Sequence, residues 1–211
     1  MFYFNSFPKV LTTDYNNNGI VLTNILKRVE IIPSLLKNPL LFYQYDLQDG
    51  DTPEIIANKY YGDSYRYWIP LFANQTIDPQ WDWALPSNVF DDYIVAKYSD
   101  AAQQANVASV LVYTQSTVKQ YEKTVVTSDS STMTNTTDVY VIDETTYNAL
   151  VPGISSKTFP DGSTVTQTVT AEPVSIYNYE VRDNENKRTI NIVNSVYTSE
   201  LESQFKSLIG S

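Results

Sequence analysis

Residues 41–74 read LFYQYDLQDGDTPEIIANKYYGDSYRYWIPLFAN, and the fold turns on how this run is parsed. Leu41, Tyr43, Tyr45 and Leu47 alternate with Phe42, Gln44 and Asp46, a period of two that predicts a strand with one buried face. Asp49-Gly50 is a turn dipeptide, because glycine tolerates positive φ and aspartate bonds its own backbone. Thr52 then caps a helix, with Pro53 at its first position and Glu54 at the positive end of the dipole. Ile56 and Tyr60 share one face, as do Ala57 and Tyr61, and Gly62 supplies a left-handed stop. Asp63 or Ser64 caps a second helix that carries Tyr65, Trp68, Ile69 and Phe72 inward and closes at Asn74. Pro70 falls inside that helix, where an interior proline costs about 3 kcal/mol, so the helix starts late or bends near Arg66.

Gly50-Asp51-Thr52, Ile56-Ala57, Tyr60-Tyr61-Gly62, Leu71 and Asn74, in that order, resemble a LysM module. That resemblance implies a β-α-α-β fold and, for many members, binding of N-acetylglucosamine polymers. Tyr67-Trp68, Asn74 and the loop Asp78-Pro79-Gln80-Trp81-Asp82-Trp83 extend it. With them the chain is similar to the tail-baseplate wedge proteins of T-even-like contractile-tailed phages, which carry a LysM-like core behind an N-terminal arm. The order and spacing make this more specific than a bare Gly-Asp-Thr match. The likeness implies a virion protein of the tail baseplate, assembled in the host cytoplasm, with other wedge proteins as partners and no cofactor.

Composition bounds the rest. The 211 residues are 42% hydrophobic, enough for one modest core or two small ones. A net charge of −10 repels a phosphate backbone, so nucleic acid is not an expected partner. No apolar run approaches the roughly 18 residues that span a bilayer, and no membrane partner is expected. The start, MFYFNSFPKV, has no basic region followed by an apolar core and does not read as a signal peptide. Without cysteine or histidine there are no disulfides, thiol nucleophiles, Ser-His-Asp triads or ordinary zinc sites. Seventeen tyrosines and three tryptophans offer stiff, amphipathic contact area of the kind found at interfaces.

The expected architecture is α+β. Residues 1–40 form an aromatic arm and helical lead-in, and 41–100 the LysM-like core with a following helix. Residues 101–173 form a Ser/Thr-rich β insertion, and 174–211 a strand-turn-strand and helix. In the arm, Asp14 to Gly19 (DYNNNG) is a turn, and Val21 to Lys37 carries Leu22, Ile25, Leu26 and Val29 at helical spacing. The core's closing strand is expected near Trp83 to Leu85, and Ser87 caps a helix reaching about Tyr98. Ala101 to Ala108 reads as a linker or a fraying helix end. In the insertion, Val110-Val112, Lys119 to Val126, Val139-Val141 and Val165-Val169 mark strands. Ser128 to Thr137 reads as a loop, Asp143 as the cap of a short helix, and Pro160-Asp161-Gly162-Ser163 as a hairpin turn. Beyond it, Tyr179-Glu180-Val181 reads as a strand, Asp183 to Arg188 as a turn, and Ile190 and Ile192 as the inward residues of a second strand. Leu201, Phe205 and Leu208 stripe a final helix from about Thr198 to Ile209.

Candidate partner-binding residues are the aromatic arm (Phe2, Tyr3, Phe4 and Phe7), the loop tryptophans Trp81 and Trp83, and Leu201 and Phe205 of the last helix. An aromatic terminus tucks onto its own core or docks on a neighbour; the docking reading implies that removing Met1 to Pro8 spares folding. Trp81 and Trp83 serve equally as a docking patch or as a lid on a small core. Gly50, Asp51, Thr52 and Asn74 outline a candidate glycan groove, although turn-plus-cap chemistry demands the same residues with nothing bound. Asp49, Asp51 and Glu54 cluster, but a capped helix start accounts for them, and calcium-loop spacing is absent. Lys187-Arg188 reads as a solvated turn flank, with an acidic partner as the alternative. No catalytic, cofactor or metal residue is assigned. The leading expectation is a non-enzymatic baseplate wedge component that joins neighbouring wedge proteins. The alternative is a peptidoglycan-binding LysM module, and a carboxylate-based wall hydrolase is the least supported.

Overall fold

The computed structural model describes residues 3–31, 38–103 and 106–210. Two compact units divide the chain: Met1–Ser87 with Asn184–Ser211, and Asn88–Asp183. The second is therefore inserted into the first.

In the first unit, a 3-10 turn at Tyr3–Ser6 leads into β1 (Lys9–Thr13), which pairs antiparallel with β2 (Gly19–Thr23). The expected helix over Val21 to Lys37 is thus replaced at its start by a strand, and 24–31 is not helical; Ile32 to Lys37 lie outside the described residues. The cause is the Asp14 loop. Asp14 Oδ1 accepts the backbone N–H of Asn16 and of Asn18, both at 2.8 Å, and Asn17 takes φ 62°, which folds two β-branched runs onto each other. The Asn18 N–H is the main reason the Asp14 carboxyl stays below its ordinary range.

Strand β3 (Phe42–Asp46) is followed by α1 (Pro53–Tyr61), capped as its sequence prescribes by Thr52 Oγ1 and ended by Gly62 at φ 68°. Asp63 caps a 3-10 turn, Ser64–Arg66, and α2 (Trp68–Ala73) begins only after it. Pro70 is then the third residue of the helix, where an N–H has no helical acceptor anyway. The late start leaves Tyr65 exposed, contrary to its expected inward placement, while Trp68 and Ile69 are buried. Phe42, out of phase with Leu41 and Tyr43, is buried and shares a groove with Leu201 and Phe205, whereas Tyr43 is exposed.

No closing strand forms at Trp83 to Leu85. Strand β3 pairs instead with β8 (Thr189–Val193), with Phe42 opposite Val193 and Asp46 opposite Thr189. Ile190, Ile192 and Val193 enter the core. The last helix, α7 (Thr198–Gly210), follows a 3-10 turn at Ser195–Tyr197 and buries Phe205 and Ile209. Leu208, expected on the buried stripe, is exposed. Arg66 fastens α7, pairing with Glu202 at 2.9 Å while also donating to the Tyr61 carbonyl. The two ends of the insertion meet through Asn184, whose Oδ1 accepts the Leu85 N–H at 2.7 Å and whose Nδ2 donates to the Leu85 carbonyl at 3.0 Å.

The inserted unit contains α3 (Ser87–Ala102), α4 (Val107–Ser116) and an antiparallel sheet in the order β5-β4-β7-β6. Its strands are β4 (Val118–Asp129), β5 (Thr134–Ile142), β6 (Gly153–Thr158) and β7 (Thr164–Ser175). A short helix, α5 (Glu144–Ala149), capped by Asp143, joins β5 to β6. The hairpin turn at 160–163 falls where expected, and Gly162 takes φ 83°. Several expectations fail here. The loop expected over Ser128 to Thr137 is confined to 130–133, because the paired strands extend to Asp129 and from Thr134, and the turn expected over Asp183 to Arg188 is helical through Asn186. Val110-Val112 lies in α4, because Asn106 caps that run by accepting from Ala108 and Ser109. Tyr179-Glu180-Val181 lies in α6 (Ile176–Asn186). Helical spacing brings Ile176, Glu180 and Asn184 to one face, and all three are buried.

Glu180 explains why a carboxylate is tolerated there. Burial works to raise its pKa, but Lys97, Tyr98 and Tyr93 hold it below the ordinary value. Lys97 Nζ bridges both oxygens at 2.8 and 2.9 Å, Tyr98 donates at 2.5 Å and Tyr93 at 3.0 Å. Burial beside Glu180 in turn pushes the Tyr98 hydroxyl up to about 12. Replacing Lys97 by Met strands the carboxylate, which usually costs several kcal/mol; because solvent reaches Lys97, we expect about 2 kcal/mol. A depressed folded pKa stabilises above the ordinary value of 4.5 and ceases to do so as pH falls through the folded value. Urea midpoints of wild type and Lys97→Met should therefore differ most at neutral pH and converge in acid.

Candidate assembly surfaces

The aromatic arm divides in two. Tyr3 stacks on Phe205 at 5.2 Å and meets Phe7 edge-on at 5.0 Å, and Trp68 lies 4.7 Å from Phe205. Phe7 is 5% exposed and Phe205 2%, so the structure brings Tyr3, Phe7 and Phe205 together but turns them onto the chain's own core. Burial holds the Tyr3 hydroxyl above its ordinary pKa. Among the described arm residues, Phe4 alone points to solvent, at 54% exposure. Phe2 lies outside the described residues.

The loop tryptophans divide likewise. Trp83 is buried and donates its indole N–H to the Asp51 carbonyl at 2.8 Å, closing the loop over the β3–α1 turn. Trp81 is 47% exposed, and its carbonyl accepts from Lys187 at 3.1 Å. Between them Asp82 accepts the N–H groups of Asp78 and Ile77, which keep its carboxyl below its ordinary range. Arg188 pairs with Glu185 at 2.7 Å.

The candidate glycan residues are engaged within the chain. Gly50 makes the turn at φ 88°, and Thr52 accepts from Ile55. Asp51 Oδ2 accepts from Tyr45 at 2.7 Å and from the Gln48 N–H at 2.9 Å. Asn74 bonds the Pro70 carbonyl and both backbone groups of Asn191. Asp49 accepts the Ser87 N–H, and no group of acidic side chains among the described residues is placed to hold a metal ion.

Two apolar surfaces escaped the sequence reading. A groove of about 300 Å³ is lined by Leu41, Phe42, Phe72, Leu201, Phe205 and Leu208, together with Glu30 and Glu200. It joins residues from both ends of the chain, so no local pattern announces it; Leu201, a candidate on other grounds, lies in it. The second is the β1–β2 hairpin, where Val10, Leu11, Ile20, Val21 and Leu22 are all exposed. Its signal was available: KVLTT and GIVLT are strand-like runs on either side of a turn.

Compared with known proteins, the chain matches a phage family model described as base plate wedge protein 53 over residues 3–209. No curated protein matches it. Among the described residues no helix is long and apolar enough to cross a membrane.

Proposed function

As this chain belongs to the phage base plate wedge protein 53 family, we propose that it is a non-enzymatic structural component of a contractile-tail baseplate that joins neighbouring wedge proteins. The observation that carries the reading is a family match spanning both units, from Tyr3 to Ile209. The exposed aromatic and apolar side chains on the first unit support it, since they are the kind of anchor that protein interfaces use. We further read β3, α1, α2 and β8 as a LysM-like β-α-α-β core whose closing strand comes from beyond an insertion.

The glycan-binding alternative rests on that same core. Against it stand the internal bonds of Asp51, Thr52 and Asn74 and the Trp83 lid on the Asp51 carbonyl. A sugar would have to compete with each of them. Tagged protein supplied to an infection should therefore co-purify with tail baseplates and should not sediment with insoluble peptidoglycan. Sedimentation with peptidoglycan and absence from tail particles would reverse the assignment.

A further inference from the structure

The β1–β2 hairpin is an incomplete sheet. Among the described residues its two strands pair only with each other, and two strands alone are marginal in water. Both faces are apolar: Val10, Ile20 and Leu22 lie on one, Leu11 and Val21 on the other. Leu11 and Val21 are 73% and 65% exposed, and Val10, Ile20 and Leu22 on the other face are 45%, 40% and 52% exposed, so neither face is buried on the chain's own core.

The register fixes which backbone groups are left over. Asn24 donates to the Pro8 carbonyl and Asp14 to that of Asn18. Even-numbered residues therefore form the hydrogen-bonded pairs of the ladder, and odd-numbered ones turn their N–H and C=O groups outward. On β1 these are Lys9, Leu11 and Thr13; on β2 they are Gly19, Val21 and Thr23. The two edges differ in what flanks them. Beyond β2 the chain continues through Ile25 and Leu26, 65% and 88% exposed, so the apolar strip extends past the strand. It ends at Lys27 and Arg28, neither of which has an ion-pair partner among the described residues.

We propose that the β2 edge receives an extended strand from another baseplate wedge protein, completing a three-stranded antiparallel or mixed sheet. This inference rests on the assembly role proposed above and specifies its mode. The incoming strand pairs its backbone with Gly19, Val21 and Thr23, and its apolar side chains cover Val21, Leu22 and Leu26. A carboxylate at its end meets Lys27 and Arg28. A second copy of this chain is the disfavoured occupant, because each copy carries a net charge of −10.

Proline distinguishes the edges. Val21→Pro deletes one outward N–H of β2, and Leu11→Pro deletes the equivalent group of β1; neither removes a ladder bond within the hairpin. In complementation of a phage lacking the wild-type copy, Val21→Pro should lower incorporation into tail particles by roughly tenfold or more, with Leu11→Pro near wild type. Amide exchange on the full chain gives a second readout: Val21 and Thr23 should be slow in particles and fast in the free protein, while Leu11 and Thr13 stay fast in both. Equal incorporation of both variants, or unprotected Val21 in particles, overturns the proposal while leaving the assembly role standing. A purified dimer that Val21→Pro converts to monomer also overturns it, in favour of self-pairing. If the wild-type chain itself is absent from particles, the assembly role falls, and this inference with it.

Discussion

Asn74→Ala should lower the unfolding free energy by about 3 kcal/mol, because it removes three hydrogen bonds and leaves backbone groups without partners. The size follows from what the side chain replaces. Arg188 accepts from Leu47, and Asn194 donates to Leu41, so the even-numbered residues of β8 bond to β3 and Asn191 faces away. The Asn74 amide meets both groups of Asn191, accepting its N–H at 2.7 Å and donating to its carbonyl at 2.9 Å. It also donates to the Pro70 carbonyl at 2.7 Å, which its own backbone N–H reaches at 3.2 Å, so side chain and main chain cap the same acceptor at the end of α2. A single side chain thus acts as a one-residue third strand and as a helix cap. Asn74→Asp keeps an acceptor for Asn191 but sets an oxygen against two carbonyls, so it should destabilise at least as much as alanine. Urea titration of the two variants checks this; an Asn74→Ala protein of wild-type stability would return Asn74 to the candidate ligand residues.

The same residue marks the limit of what the sequence discloses. That Asn74 ends the second helix is legible locally, from the Gly62 stop and the helical run behind it. That it also binds a strand is not, because Asn191 lies 117 positions later. The whole of Thr52 to Gly62 was readable for the converse reason: capping, dipole and left-handed termination act within one or two turns. The hairpin turn at 160–163 and the Asp143 cap were readable on the same ground. Where the reading failed, two local signals competed. Val21 to Val29 carries apolar residues compatible with helix and with strand, and the Asp14 loop decided the matter by supplying a pairing partner. Tyr179-Glu180-Val181 is β-prone taken alone, yet the partners of Glu180 come from a helix more than eighty positions earlier. Consecutive elements are usually neighbours, which points to a closing strand beside the core, but the insertion separates β3 from its partner β8. Of the surface candidates, residue type alone did not separate Trp81 from Trp83 or Phe4 from Phe7; burial separated them.

That last separation yields the second large effect. Phe7→Ala should cost about 3–4 kcal/mol, the usual range for emptying a buried aromatic site. Phe7 is 5% exposed, sits against Tyr3 and reaches Phe205, and through them it adjoins Trp68. Alanine would open a void among rings that α7 and α2 cannot close without shifting. Removing Met1 to Pro8 should consequently weaken the first unit as well as any docking, contrary to the expectation that a projecting arm is dispensable for folding. Phe4 touches the edge of that cluster, 5.1 Å from the Tyr3 ring and 5.6 Å from Phe7, but it is 54% exposed and is the cleaner probe of assembly. Phe4→Ala should lower the unfolding free energy by only about 1 kcal/mol, well below the loss at Phe7. If Phe4 is a docking anchor, its loss should still reduce incorporation into tail particles. Should Phe7→Ala prove as mild as Phe4→Ala, the arm would not be part of the folded core, and truncation would again report on docking alone.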